Sequence, residues 1–250
     1  MAQLTIADDE TGLARLAAER ITQLIESAVA SHGDAFVSLT GGTTPRRLYA
    51  MLADARQPWR DRIAWSQIHL FWSDERHVPP DHPDSNYGMA KATLLDHSPV
   101  PPNRVHRIRA DMPDAGDAAA DYEQQLNSVA SALRRTTLFD LMLLGVGEDA
   151  HIASIFPGWP GLAGWPESPR SRRVAAVWAA HLNAWRITLT PDAILDSRAI
   201  VVLVSGKSKA NAVRAALEAP IDVMKHPAQL LRTAGDRVEW FLDRAAAGRV

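Results

Sequence analysis

Residues 35–47 read Ala35-Phe36-Val37-Ser38-Leu39-Thr40-Gly41-Gly42-Thr43-Thr44-Pro45-Arg46-Arg47. The first five make a short, mostly apolar strand, the glycine pair breaks it, and Thr44-Pro45 offers an N-cap and a first-turn proline for a helix over 45–54. That is a β-loop-α unit. Upstream, Leu13, Leu16, Ala17, Ile21, Leu24, Ile25 and Ala28 recur at helical spacing and predict an amphipathic helix over 11–31. Downstream the pattern repeats. A strand over 68–72 precedes a helix around 86–95, a helix over 116–135 precedes a strand over 139–144, and a strand over 199–204 precedes a helix over 207–217. Further strands are predicted at 174–178, 186–190 and 237–242. Such alternation predicts an α/β fold, a doubly wound, mostly parallel, Rossmann-like sheet with helices on both faces and room for a small additional lobe. No internal repeat, low-complexity tract or linker divides the chain, so 1–250 reads as one domain.

Composition narrows the function classes. The 250 residues are near the upper end of what one compact domain holds. With 27 Lys plus Arg against 29 Asp plus Glu, the formal charge of −2 leaves no basic footprint for nucleic acid and no acidic tail. Zero Cys excludes disulfide frameworks, thiolate metal sites and Cys nucleophiles, and it suits a reducing compartment. The first 20 residues are acidic, without the apolar segment of a signal peptide, and runs such as Leu141 to Val146 are too short to span a bilayer. The expectation is a soluble cytoplasmic protein, monomer or small homo-oligomer, with no nucleic-acid or membrane partner.

Ligands of open α/β sheets bind beyond the carboxyl ends of the strands, so the segments leaving the four apolar strands are the ones to inspect. The first puts Gly41, Gly42, Thr43 and Thr44 where a strand turns into a helix, which reads either as an anion loop or as a capped turn. Arg46 and Arg47 then fall in a first helical turn, where the dipole disfavours cations unless an anion is close. The last, Ser205-Gly206-Lys207-Ser208, ends like a P-loop, but the glycine needed five residues before Gly206 is Val201. Gly145-x-Gly147-x-x-Ala150 fits a dinucleotide fingerprint, yet Pro157, Gly158, Pro160 and Gly161 forbid the long helix that must follow. His151 stands just past a buried strand, two residues after Asp149, where a carboxylate can fix the imidazole tautomer and tune a base. Asp74 and Glu75 form a second acidic pair, readable as catalytic or as partners of Arg76 and nearby backbone. His69, His77 and His82 lack metal-ligand spacing, no Gly-x-Ser-x-Gly elbow is present, and the eight scattered Trp read as packing residues. These residues describe a crevice with anion-binding loops and one well-placed histidine, suited to an enzyme acting on a phosphorylated metabolite.

Four segments carry a resemblance to the 6-phosphogluconolactonase family: 39–45 (Leu-Thr-Gly-Gly-Thr-Thr-Pro), 71–79 (Phe-Trp-Ser-Asp-Glu-Arg-His-Val-Pro), 85–88 (Ser-Asn-Tyr-Gly) and 145–158, from Gly145 through His151 to Pro157-Gly158. It continues through 186–190, Gly206-x-x-Lys209, Pro227-Ala228 and 240–243, in the family's order and over nearly the whole chain. The resemblance implies hydrolysis of 6-phospho-D-glucono-1,5-lactone to 6-phosphogluconate, in the oxidative pentose phosphate pathway, with no metal or organic cofactor and a small sugar phosphate as the partner. It makes Gly41, Gly42, Thr43 and Thr44 the phosphate loop, Arg76 and Lys209 cationic contacts, and His151 the base. It has Asp149 orient His151, and Arg186 line the sugar or phosphate site. Thr43 replaces the family's usual Ser and keeps the hydroxyl. Ala150 replaces the more usual Gly, which strains the turn if φ there is positive. The related glucosamine-6-phosphate deaminase is the alternative, and needs a further base at carbon 2. A non-catalytic sugar-phosphate sensor is a third reading, opposed by the lack of a helix-turn-helix segment or basic arm.

Overall fold

The computed structural model describes residues 3–166 and 172–248. Six strands form a wholly parallel sheet in the order β1 (Gln3–Ala7), β9 (Val238–Asp243), β8 (Ser197–Val204), β5 (Phe139–Leu144), β2 (Ala35–Leu39), β3 (Ile68–Trp72). Every residue of β2, β3 and β5 is buried, which requires cover on both sheet faces and explains why these strands read as mostly apolar runs, interrupted by the buried Ser38, His69 and Asp140. The long helices are α1 (Glu10–His32), α2 (Thr43–Ala53), α3 (Asn86–Thr93), α4 (Ala115–Ala132) and α6 (Ala210–Leu217); α5 (Pro191–Leu195) and α7 (Arg244–Ala247) are single turns. α1 buries Leu13, Ala17, Ile21, Ile25 and Ala28, five of the positions that its periodicity singles out, but Leu16 is exposed. Among the described residues no helix is long and apolar enough to cross a membrane.

A second, three-stranded antiparallel sheet, β4 (Asp74–Arg76), β7 (Ala184–Leu189) and β6 (Val174–Ala179), stands apart from the first. It is the additional lobe, and α4 packs against it. Residues 74–76 are therefore a strand, not only a loop leaving β3; three charged residues in a row hide it from an apolar pattern. β1 lies outside the predicted strands: its five residues alternate polar and apolar, but the run is short, and its Leu4 and Ile6 stand exposed at the sheet edge. Trp178 and Trp185 depart from the packing expectation: they lie 46% and 43% exposed, edge to face at 5.4 Å, on neighbouring strands of the small sheet.

α2 begins two residues before the expected start. Its N-cap is Gly42, at φ 112° with no side-chain cap, so Thr43 and Thr44 are helical and Thr44 is not the cap. The helix thus opens directly onto the end of β2, leaving the first-turn amides without intrahelical acceptors. Two buried tyrosines anchor the strand exits. Tyr49 of α2 donates its hydroxyl to the Thr40 carbonyl and accepts from the Thr40 amide, each at 2.9 Å. Tyr122 of α4 does the same for Trp72, at 2.9 and 2.8 Å. The chain steps from β2 outward to β3 and then back past β2 to β5, which makes the carboxyl ends of β2 and β5 the topological switch point.

Candidate active site

A crevice of about 210 Å³ opens at that switch point, lined from β2 by Thr40, Gly41 and Gly42 and from β5 by Gly145, Val146, Gly147, His151 and Ala153. Asp74, Arg76, Asn86 and Lys209 complete it. The turn after β5 is closed by its own backbone: the Gly147 amide donates to the His151 carbonyl at 2.9 Å and the Ala150 amide to the Gly147 carbonyl at 3.0 Å. Ala150 sits at φ 65° and Ala153 at φ 47°, so both neighbours of the His151-Ile152 pair occupy the left-handed region. For alanine that conformation costs roughly 1–2 kcal/mol, which the surrounding bonds offset. Ala228 donates its amide to the Ala150 carbonyl at 2.8 Å, one such bond. A Cβ on Gly147 would fall on the His151 ring and on Asp149 Oδ1, so glycine is required there by close approach.

His151 Nδ1 lies 2.6 Å from Asp149 Oδ1, which also accepts the His151 amide at 3.2 Å. A carboxylate can only accept, so Nδ1 carries the hydrogen and Nε2 is left as the basic nitrogen of the neutral ring. Burial works against ionisation of Asp149, but the hydrogen bond and charge of His151 outweigh it and hold the carboxyl down at about 2. The Phe156 ring, 4.7 Å from the imidazole, walls the other side.

Two cations line the crevice and a third stands beside one of them, all without a carboxylate within ion-pair distance among the described residues. Arg76 donates to the Asp84 carbonyl at 2.7 Å, and Lys209 projects from the turn before α6. That turn is shaped by Asp243, at the end of β9, which accepts from Ser205 Oγ at 2.6 Å and from the Gly206 amide. Arg186 stands opposite Arg76 in the β4–β7 ladder, though it does not line the crevice. Burial and then the facing charge of Arg76 push its guanidinium below the ordinary value, although Asp74, Asp84 and Glu75 pull the other way. Thr43 is exposed, Thr44 is buried, and neither lines the crevice. Arg47 pairs with Glu10 at 3.2 Å, and Arg46 faces a separate groove with Tyr87 and Arg107.

The acidic pair splits into two roles. Glu75 is buried and accepts from the amides of Arg76, Asn86 and Tyr87 and from Ser85 Oγ, all within 3.0 Å, so it ties β4 to the first turn of α3. Burial raises its carboxyl against those bonds. Asp74 lines the crevice and accepts from Ser154 Oγ at 2.7 Å, fastening the segment after His151 to the small sheet. Asn86 was not a candidate, although it stands in a quoted segment: its side chain enters from a helix start, and no spacing rule marks such an arrival. No cluster of three or more His, Cys, Asp or Glu side chains poised for a metal occurs among the described residues.

The family described as glucosamine-6-phosphate isomerases/6-phosphogluconolactonase matches residues 8–240. This chain belongs to that family. The 6-phosphogluconolactonase of Streptomyces coelicolor is 38% identical over 255 residues, covering 99% of this chain and 94% of its own length. Among solved structures of the family's fold, the 6-phosphogluconolactonase of Trypanosoma brucei superposes with a TM-score of 0.81 at 28% identity, covering 100% of this chain and 99% of that one. A monomeric glucosamine-6-phosphate deaminase reaches 0.79 at 25% identity, with 98% of each chain covered.

Proposed function

We propose that this family member hydrolyses 6-phospho-D-glucono-1,5-lactone to 6-phosphogluconate, as a cytoplasmic enzyme of the oxidative pentose phosphate pathway whose residues 1–250 act as one domain. The observation that carries the reading is the 2.6 Å hydrogen bond that His151 Nδ1 donates to Asp149 Oδ1, which leaves Nε2 as a base in a crevice lined by Arg76 and Lys209. In this mechanism Nε2 takes a proton from water as its oxygen bonds to the lactone carbonyl carbon. The tetrahedral oxyanion then collapses, the bond from that carbon to the ring oxygen breaks, and the histidine returns the proton to the departing oxygen. Gly41 and Gly42, the first-turn amides of Thr43 and Thr44, Arg76 and Lys209 hold the phosphate, and Arg186 reinforces the positive field from behind Arg76. Phosphate binding orients the ring, so binding energy remote from the reacting bond serves positioning.

Glucosamine 6-phosphate deamination is the second reading, favoured by one observation: the Asp74 carboxylate lines the same crevice and could serve as an additional base. Two assays separate them. Acid release above the spontaneous rate on adding fresh 6-phosphogluconolactone is expected, and ammonia release from glucosamine 6-phosphate is not. The reverse pattern would overturn the lactonase reading.

A further inference from the structure

The Asn86 side chain is 3% exposed and opens α3 at the rim of the crevice. Its orientation is fixed by chemistry, because Nδ2 faces two acceptors, the Asp74 carbonyl at 3.0 Å and Asp74 Oδ1 at 3.4 Å. The carbonyl oxygen Oδ1 therefore points the opposite way, toward Gly41. It has no hydrogen-bond partner among the described residues, and it is not one of the sealed polar atoms of the interior. A Cβ on Gly41 would fall on this oxygen, so residue 41 is glycine to let the carboxamide through. A brace for Asp74 needs only Nδ2. It does not require a buried carboxamide to displace the side chain of residue 41 and present a bare acceptor to the crevice.

We infer that Asn86 is a specificity-determining residue whose Oδ1 accepts a hydrogen bond from one ring hydroxyl of the substrate. The inference rests on the lactonase reading and deepens it. A lone pair repels phosphoryl oxygens and attracts a hydroxyl hydrogen, so the crevice has two sides. Arg76, Lys209 and the backbone amides of the 41–44 loop take the phosphate, and Asn86, on the side of Gly41 where a Cβ would stand, takes the sugar. A site with a buried acceptor rejects the analogue lacking the matching donor, because that acceptor then stays unpaired.

The test measures kcat/KM for 6-phosphogluconolactone and its 2-, 3- and 4-deoxy analogues with the unmodified enzyme and with Asn86→Ala. The unmodified enzyme is expected to lose roughly tenfold or more on one deoxy analogue. Asn86→Ala is expected to lower turnover of the parent lactone and bring it to within about twofold of that same analogue, a loss of discrimination that a bracing role would not produce. Equal losses on all four substrates would assign Asn86 to bracing alone and overturn the inference. Should Asn86→Ala fail to fold by circular dichroism, Asn86→Ser takes its place. An unmodified enzyme that hydrolyses all four lactones alike overturns the inference without any variant and leaves the lactonase reading standing. An enzyme inert toward the parent lactone overturns both.

Discussion

The His151 imidazole commits one ring nitrogen to Asp149 and keeps the other for the crevice, and each neighbouring residue serves that division. His151→Ala is expected to lower kcat about 10²- to 10⁴-fold, the usual contribution of a general base, once spontaneous lactone opening is subtracted. Phosphate affinity should survive, since the cations lie on other segments. A folded variant with near-normal kcat would move the search for the base to Asp149, Asp74 and Glu75. Gly147→Ala is a second probe, because its Cβ takes the place of the His151 ring. The expected result is a kcat loss approaching that of His151→Ala with an unchanged far-ultraviolet spectrum, and unaltered turnover would show that the dyad can shift aside. Ala150 shows what sequence reading can and cannot deliver at this scale. That an alanine would be strained here follows from the resemblance, whereas its φ of 65° is a fact of the folded turn.

At the scale of elements, strands are held where the chain must leave them. Tyr49 and Tyr122 each satisfy both backbone groups of one exit residue, so Tyr49→Phe and Tyr122→Phe should each lower stability by about 1–3 kcal/mol, read from urea midpoints. An unchanged midpoint would mean that other partners reach Thr40 or Trp72. A polar chain starts from His69 of β3. Arg104 donates to His69 Nε2 at 2.8 Å, and His69 Nδ1 meets His106 Nε2 at 2.9 Å. Burial first, then the charge of Arg104, lowers His69 to about 4. Burial and then the charge of His69 bring His106 to about 4. The unfolded chain takes up these protons near 6.5, so the stability held by the neutral pair is complete above that pH. It falls as pH drops toward about 4, with a limiting slope of about 1.4 kcal/mol per pH unit for each histidine. Urea midpoints at pH 7.5, 6 and 5 should decline in that order, and a flat series would dismiss the pair from the acid response. The central parallel strands were legible because each is a short, mostly apolar run flanked by glycine or charge. β4 was not, since Asp74-Glu75-Arg76 are paired through their backbone and through distant residues such as Ser154. Asn86 stayed hidden for a similar reason: its importance comes from an atom missing at Gly41.

Across the whole molecule the crevice is drawn from strand ends, a helix start and a second sheet, so its field depends on the assembled fold. Arg76→Ala and Lys209→Ala should each reduce kcat/KM for the phosphorylated lactone about ten- to a hundred-fold and spare unphosphorylated gluconolactone, as expected for a charged hydrogen bond of roughly 1.5–3 kcal/mol. Equal losses on both substrates would detach these residues from the phosphate. The linear sequence points to Gly41, Gly42, Arg76, His151 and Lys209, which share one lining, but it does not show that Arg186 stands opposite Arg76 outside that lining or that Thr43 is exposed.

The large sheet ends differently at its two sides. β3 is buried along its whole length, and Val105 bridges to Leu70. β1 leaves Leu4 and Ile6 42% and 48% exposed beside an unpaired backbone edge. Among the described residues, growth of this large sheet by recruitment of foreign strands therefore has one door, at β1, three strand spacings or about 14 Å from β5. Clumping through that door would leave the crevices open to solvent. Turbidity and catalysis are then expected to separate for association through β1: Ile6→Lys should lower light scattering at high concentration and leave kcat/KM for the lactone unchanged.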